Sequence, residues 1–211
     1  ISSFRYDRRG VGDSGGEDQG YRGSAADIAA AAATFAAERP GLKRIYGFGL
    51  CDGATALALF GAAAGLDGLI LANPWLVETD ADRPAPAAIK RHYRDRLLSL
   101  DGWRRLLTGS VSIPKLIKGL HNISQPRTQA SLAMDFASAL RASHLPAVLL
   151  LADRDNTAIA AEAEIRAFPE LFLATEWVAS DSHTFAHPAD EAALLAATLR
   201  AIHTLDAAAA A

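Results

Sequence analysis

The 211-residue chain has little of what marks several common classes of protein. Its single cysteine, Cys51, excludes an internal disulfide and a metal site built from several thiolates. With 21 basic and 24 acidic residues, the net charge of -3 gives no overall attraction to a phosphate backbone, so we expect no nucleic-acid partner. No apolar run reaches the roughly 18 residues that a membrane-spanning helix needs. What the chain does have is 50% hydrophobic residues, enough to bury the core of one soluble globular domain.

The chain begins at Ile1 without a methionine, and its first residues have the character of a strand end. We therefore interpret the sequence as a fragment, which leaves open a targeting segment upstream.

Apolar runs separated by turn residues predict strands that alternate with helices, the pattern of a parallel α/β sheet. The predicted strands are residues 2–6, 43–48, 69–72, 147–152 and 175–178. Helices are predicted at residues 24–39, 52–64, 157–167 and 188–205. We expect Ser24 to cap the first helix, with Asp27 in a capping-box position three residues later.

The middle of the chain, residues 75–143, has a different pattern. Amphipathic helices are predicted at residues 88–100, 103–107 and 131–141, and the segment is interrupted by Pro84, Pro86, Pro114 and Pro126. We interpret residues 75–143 as a helical lid, inserted between the two parts of one core at residues 1–74 and 144–211.

The predicted lid is strongly basic. From Arg83 to Arg127 it carries ten lysines or arginines and two acids, a local charge of +8 that leaves -11 for the rest of the chain. Such a surface would suit an anionic or carrier-linked acyl substrate or an acidic membrane surface. The alternative is a solvated basic helix face with no partner.

The segment Gly49-Leu50-Cys51-Asp52-Gly53 lies where a predicted strand turns into a helix. It fits the G-x-nucleophile-x-G motif with cysteine as the nucleophile. We expect a side chain at Gly49 or Gly53 to clash in so tight a turn. The helix N-terminus favours a thiolate, whereas the neighbouring Asp52 carboxylate opposes it. The alternative is a buried cysteine that acts only as a small apolar residue.

A thiolate nucleophile needs a base that also protonates the leaving group, and an acid that orients that base. Asp153 and Asp155 follow the strongly apolar strand AVLLLA, at the strand end where α/β sheets bind their ligands. We prefer Asp155, because Asp153 directly follows the strand and can serve the loop; either one could instead cap the next helix.

The last predicted strand is followed by the segment ASDSHTFAHP, which contains two histidines. We choose His183 as the base, because His187 precedes Pro188 and suits the start of a helix. The other histidines lie in the lid or on helices without metal-ligand spacing, and we expect neither a metal nor a cofactor. They are His92, His121, His144 and His203.

The order of nucleophile, acid and histidine resembles that of α/β-hydrolases over nearly the whole chain. The loop YDRRGVGDS at residues 6–14 is similar to one found in members with a helical lid. More narrowly, FRYDRRGVGDSGG, GLCDGATA, LANPW and DSHTF resemble exosortase A system-associated hydrolase 1, a bacterial subgroup linked to exopolysaccharide and protein-sorting loci. The resemblance implies a mostly parallel sheet with helices on both faces, and a bacterial cytoplasmic protein. It does not supply the substrate.

The resemblance also implies an oxyanion hole that takes one N–H from the residue after the nucleophile, here Asp52. The family's first strands, and the loop that supplies a second N–H, are absent from this sequence. We therefore expect an α/β-hydrolase fold without its N-terminal strands, in which the backbone N–H of Asp52 is what remains of the hole.

Three functions stay open on the sequence. The first is hydrolysis of an ester, thioester or lactone, in which Cys51 attacks, His183 is base and then acid, and Asp155 orients the imidazole. The second is a glutamine amidotransferase, which also uses a G-x-C-x-G turn and a later His-Pro, faintly matched by His187-Pro188. The third is a hydrolase-like scaffold that binds a partner or small molecule without catalysis.

Overall fold

The fold is built on a parallel sheet, seen in a computed structural model that describes residues 1–77, 132–171 and 173–210. In the described part of the chain the four strands lie in the order β1-β2-β3-β4, and each pairs in parallel with its neighbour. They are β1 (Tyr46–Leu50), β2 (Gly68–Ala72), β3 (Ala147–Ala152) and β4 (Ala174–Val178). The helices are α1 (Ala25–Glu38), α2 (Asp52–Phe60), α3 (Leu132–Ser143), α4 (Asn156–Ile165) and α5 (Pro188–Ala208).

Helices cover both faces of this sheet. Successive residues of a strand point to opposite faces, so Leu69 and Leu149 pack with buried residues of α1 to α4, whereas Ile70 and Leu150 pack with α5. The central strands β2 and β3 are almost entirely buried, which is why both are continuous apolar runs in the sequence. The predicted α/β class, with a parallel sheet between helical layers, is confirmed.

The helix predicted at residues 131–141 corresponds to α3 and packs on the core. Its Ala133, Phe136 and Leu140 are buried in the same cluster as residues of α2. The other predicted lid helices, at 88–100 and 103–107, and the basic stretch from Arg83 to Arg127 lie outside the described residues. Within the described ranges, every helix is too short or too polar to cross a membrane.

The strand predicted at residues 2–6 is wrong, because this segment has no regular secondary structure. A strand exists only where a neighbour completes its hydrogen bonds, and in the described part of the chain β1 pairs on one side only, with β2. The segment lies instead beside α1, where the ring of Phe4 stacks on that of Phe35 with centroids 5.7 Å apart.

The predicted capping of α1 is also wrong. Ser24 precedes α1 as expected, but it has helical backbone angles, and its hydroxyl donates to the carbonyl of Gly20 instead of accepting from the helix. A short 3-10 turn at Tyr21–Gly23 leads into α1 and determines this conformation. Asp27 does not close a capping box either, because its carboxylate accepts from the backbone N–H and the guanidinium of Arg9.

Candidate active site

Three residues predicted to carry chemistry follow three different strands. Cys51 comes directly after β1, Asp155 comes three residues after β3, and His183 lies in the loop after β4. Because all three strands run in parallel, their carboxyl ends lie at one edge of the sheet, where α/β proteins bind their ligands. The topology therefore brings together residues that are far apart in the sequence.

Cys51 lies in a strained turn between β1 and α2. Its φ of 57° and ψ of -122° fall in a region that a residue with a side chain rarely adopts. The turn is held on both sides, because the N–H of Cys51 donates to the carbonyl of Ala72 at 3.0 Å and its carbonyl accepts from the N–H of Trp75 at 3.2 Å. The side chain is half-buried at the N-terminus of α2, as a nucleophile in a strand-to-helix turn requires.

The two glycines of the motif have different roles. A Cβ added to Gly49 would lie 2.7 Å from backbone atoms of Gly53 and Ala54, so no larger residue fits there without moving α2. A Cβ on Gly53 would meet nothing within 4 Å. The expected clash at Gly49 is confirmed, because β1 and α2 approach closely there. The clash expected at Gly53 is wrong, because its Cβ would point into open space.

Asp155 and His183 form a hydrogen-bonded pair, with 2.9 Å between the carboxylate Oδ2 and the ring Nδ1. The same oxygen accepts from the N–H of Ala158 at 2.9 Å, so Asp155 is also the N-cap of α4. Burial acts to raise the pKa of Asp155, but the hydrogen bonds from His183 and Ala158 outweigh it, and the pKa lies below its ordinary value. Asp155 is therefore an ionised acceptor at neutral pH, and Nδ1 of His183 carries the proton that it accepts.

The His183 ring interacts with both other residues. Its pKa is raised from 6.5 to about 10, first by the hydrogen bond to the Asp155 carboxylate and second by a hydrogen bond with the Cys51 thiol; burial opposes both. Since Nδ1 faces Asp155, Nε2 is the nitrogen left for the thiol. The environment thus favours a positively charged imidazole, which is the form that stabilises a neighbouring thiolate.

The alternative residues lie apart from this group. Asp153 accepts from the N–H of Ser180 at 3.0 Å and so supports the loop, residues 179–187, that contains His183. His187 is exposed at the start of α5, with its Nε2 3.6 Å from a carboxylate oxygen of Asp181. Neither His144, at the end of α3, nor His203, on α5, belongs to the site. His92 and His121 lie outside the described residues.

Asn73 is a functional candidate that the sequence reasoning missed. Its side chain is fully buried, its amide donates to the main-chain carbonyl of His183 at 2.8 Å, and its oxygen accepts from the N–H of Ala152 at 2.8 Å. It therefore ties the loop at 179–187 to the end of β3. The available signal was an asparagine between a buried strand and Pro74, since asparagine is the residue with a side chain that best tolerates the φ of 41° found there.

Arg8 is a second residue whose contact the sequence did not reveal. Its Nη1 lies 2.6 Å from Oδ2 of Asp52, the residue next to the candidate nucleophile. From its sequence, the YDRRGVGDS loop is predicted to have a structural role, in which its residues shape the loop itself. The backbone N–H of Asp52 itself is the first of α2 and has no acceptor within the helix, which is what the predicted oxyanion donor requires.

Comparisons with known proteins identify no family for this chain. No protein-family model and no curated protein matches the chain. One similar solved structure is a highly thermostable carboxyl esterase from Bacillus coagulans in complex with glycerol, with 16% sequence identity and a TM-score of 0.40. The likeness covers 76% of this chain and 63% of that esterase. The α/β class therefore rests on the sheet itself, and the site is described by its own contacts.

Proposed function

We propose that this chain is the core of a cysteine-dependent α/β-hydrolase that transfers an acyl group from an ester, thioester or lactone to water. The observation that carries the proposal is the 2.9 Å hydrogen bond between the Asp155 carboxylate and the His183 ring. Cys51 supports it as the second-largest cause that raises the pKa of that ring. The order of these residues along the chain, each after a parallel strand, is the order of an α/β-hydrolase triad.

The chemistry follows from the protonation states. His183 takes the thiol proton on Nε2 while Nδ1–H stays hydrogen-bonded to Asp155, and the resulting thiolate attacks the substrate carbonyl carbon. The negative charge that develops on the carbonyl oxygen lies within reach of an N–H donor from Asp52 at the start of α2. The tetrahedral species expels the alkoxide or thiolate, which receives the proton from His183. Water then loses a proton to His183, attacks the acyl-cysteine, and releases the acid with regeneration of the thiol.

The contacts favour this reaction over glutamine hydrolysis of the amidotransferase type. In that reading His187-Pro188 would supply the base, but His187 is exposed and paired with Asp181, whereas Asp155 is paired with His183. Ammonia release from glutamine would distinguish the two. On the sequence resemblance alone, we further propose that the protein is linked to a bacterial exosortase and exopolysaccharide system.

The test uses p-nitrophenyl esters and acyl thioesters with the parent, Cys51→Ala and Cys51→Ser proteins. We expect Cys51→Ala to form no acyl-enzyme by mass spectrometry, and Cys51→Ser to keep weak turnover, because a hydroxyl depends fully on the base. His187→Gln serves as the matched control and should keep the parent rate. If Cys51→Ala hydrolyses these substrates as fast as the parent, the nucleophile is elsewhere. If no protein turns over or labels while all remain folded, the non-catalytic scaffold is favoured.

A further inference from the structure

The residue after Cys51 carries a charge that bears on the proposed nucleophile. Asp52 is the first residue of α2, where the helix dipole favours an acid. The same carboxylate is one residue from the thiol, and a negative charge at that distance disfavours a second one on sulfur. An uncompensated Asp52 would therefore act against the thiolate that the proposed reaction needs.

Arg8 compensates this charge. Its Nη1 is 2.6 Å from Oδ2 of Asp52, and its Nε is 3.4 Å from Oδ1 of Asp18. The side chains of Arg8 and Asp52 are 24% and 36% exposed, so water screens the pair less than it would a fully exposed one. Burial acts to lower the pKa of Arg8, but the hydrogen bond to Asp52 and the nearby acids raise it overall, so the guanidinium stays charged throughout the working range.

The chain around Arg8 is shaped to hold it there. Gly10 and Gly12 have φ of 73° and 57°, which glycine adopts without strain, and the carbonyl of Arg8 accepts from the N–H of Val11 at 3.0 Å. The next residue, Arg9, turns the other way and binds Asp27 on α1 with its Nε at 2.7 Å. Two adjacent arginines thus attach one loop to two helices. Arg9 binds α1, and Arg8 binds Asp52 on α2, the residue next to Cys51.

The charged and titratable groups that act on Cys51, directly or through a partner, come from four places in the described part of the chain. They are His183 and Asp155 from the two later loops, Asp52 on α2, and Tyr6, Arg8 and Asp18 from the N-terminal loop. His183 acts directly on the thiol, and Arg8 acts on it through Asp52. We propose that Arg8 is a positioning residue that holds and neutralises the Asp52 carboxylate, so that this charge does not act against the thiolate that the reaction needs at Cys51; this inference rests on Cys51 being the proposed nucleophile.

The test measures the rate of Cys51 alkylation by iodoacetamide against pH, which reports on this one site because the chain has a single cysteine. In Arg8→Gln we expect the midpoint of the profile to rise by about one pH unit, which slows alkylation by about tenfold at pH values well below the parent midpoint. In the double variant Arg8→Gln/Asp52→Asn, which removes both charges, the midpoint should return to that of the parent. A merely structural role for Arg8 would not be rescued by removing its partner.

Two further variants separate the charge of Arg8 from other effects of its replacement. Arg9→Gln, the matched control, removes an equivalent arginine that pairs with Asp27, and its profile should coincide with that of the parent. Arg8→Lys keeps the charge and should keep the midpoint even if Arg8→Gln folds poorly. An unshifted Arg8→Gln profile, an equal shift in Arg8→Lys, or a double variant that stays shifted would overturn the proposal. Because alkylation needs no substrate, a shifted and rescued profile without ester turnover would contradict the hydrolase function alone.

Discussion

The amide of Asn73 donates a hydrogen bond to the main-chain carbonyl of His183 across 110 residues of sequence, at 2.8 Å. Through its oxygen, the same side chain accepts from Ala152 at the end of β3. One buried residue therefore fixes the distance between the loop that carries the histidine and the strand that leads to Asp155.

We expect Asn73→Ala to lower both stability and activity. It removes two hydrogen bonds and leaves the buried N–H of Ala152 without its acceptor, at a cost of about 1 to 3 kcal/mol for such a group. The free energy of unfolding in urea measures the first effect and ester turnover the second. The exposed Asn156→Ala serves as the control and should change neither by much. A fully active Asn73→Ala protein would show that the loop at 179–187 is held by other contacts.

Asp155→Asn should change both the titration of His183 and the rate. Without the carboxylate, the largest cause that raises the pKa of His183 is lost, so this pKa should fall from about 10 toward 6.5. Turnover should drop by about 10⁴, as in serine triads where the acid becomes an amide. The ring protons followed by NMR, assigned with His183→Gln, give the pKa. Asp153→Asn is the matched control, and an equal fall in both variants would mean that the two acids act alike.

Stability should depend on pH through the same pair. The pKa of folded His183 lies above its ordinary value, so its contribution is fully present below pH 6.5 and is lost as pH rises through about 10. The pKa of Asp155 is lowered, so its contribution is present above 3.8 and is lost as pH falls through the folded value. The free energy of unfolding, measured at pH 6, 8 and 10, should therefore fall more steeply in the parent than in His183→Gln. Parallel curves would contradict the pairing.

Gly49→Ala should lower the stability of the protein, whereas Gly53→Ala should raise it. The Cβ at Gly49 would meet backbone atoms that cannot move separately from α2, so we expect a loss of about 1 to 3 kcal/mol of stability and of the Cys51 geometry. The open site at Gly53 lies within α2, where alanine is favoured over glycine by about 0.5 to 1 kcal/mol. Thermal unfolding compares the two directly, and similar melting temperatures would contradict the close approach at Gly49.

The sequence predicted the buried parts of the fold better than its exposed parts. The apolar run at residues 147–152 is β3 without a shift, because a strand buried on both faces must be apolar throughout. The first predicted strand of the described sheet, 43–48, lies instead at 46–50, where β1 pairs with Gly68–Ala72. Register depends on that partner, and the local sequence alone does not contain it.

The site residues also differ in how far the sequence alone predicts them. That Cys51, Asp155 and His183 lie at one edge of the sheet was predictable, because each follows a parallel strand. Asn73 and Arg8 act through hydrogen bonds to residues 110 and 44 positions away, and only the fold brings those partners together. The capping prediction for Ser24 failed for a related reason, since the turn before it allowed its hydroxyl a different acceptor.

Oδ2 of Asp155 has two partners, the imidazole of His183 and the first turn of α4. The length of this side chain is therefore set by two requirements at once. A glutamate would extend the carboxylate by one methylene group, and it is a poor cap at that backbone position. The aspartate cannot be lengthened to suit the histidine without releasing the helix, so two independent features of the fold select the same residue.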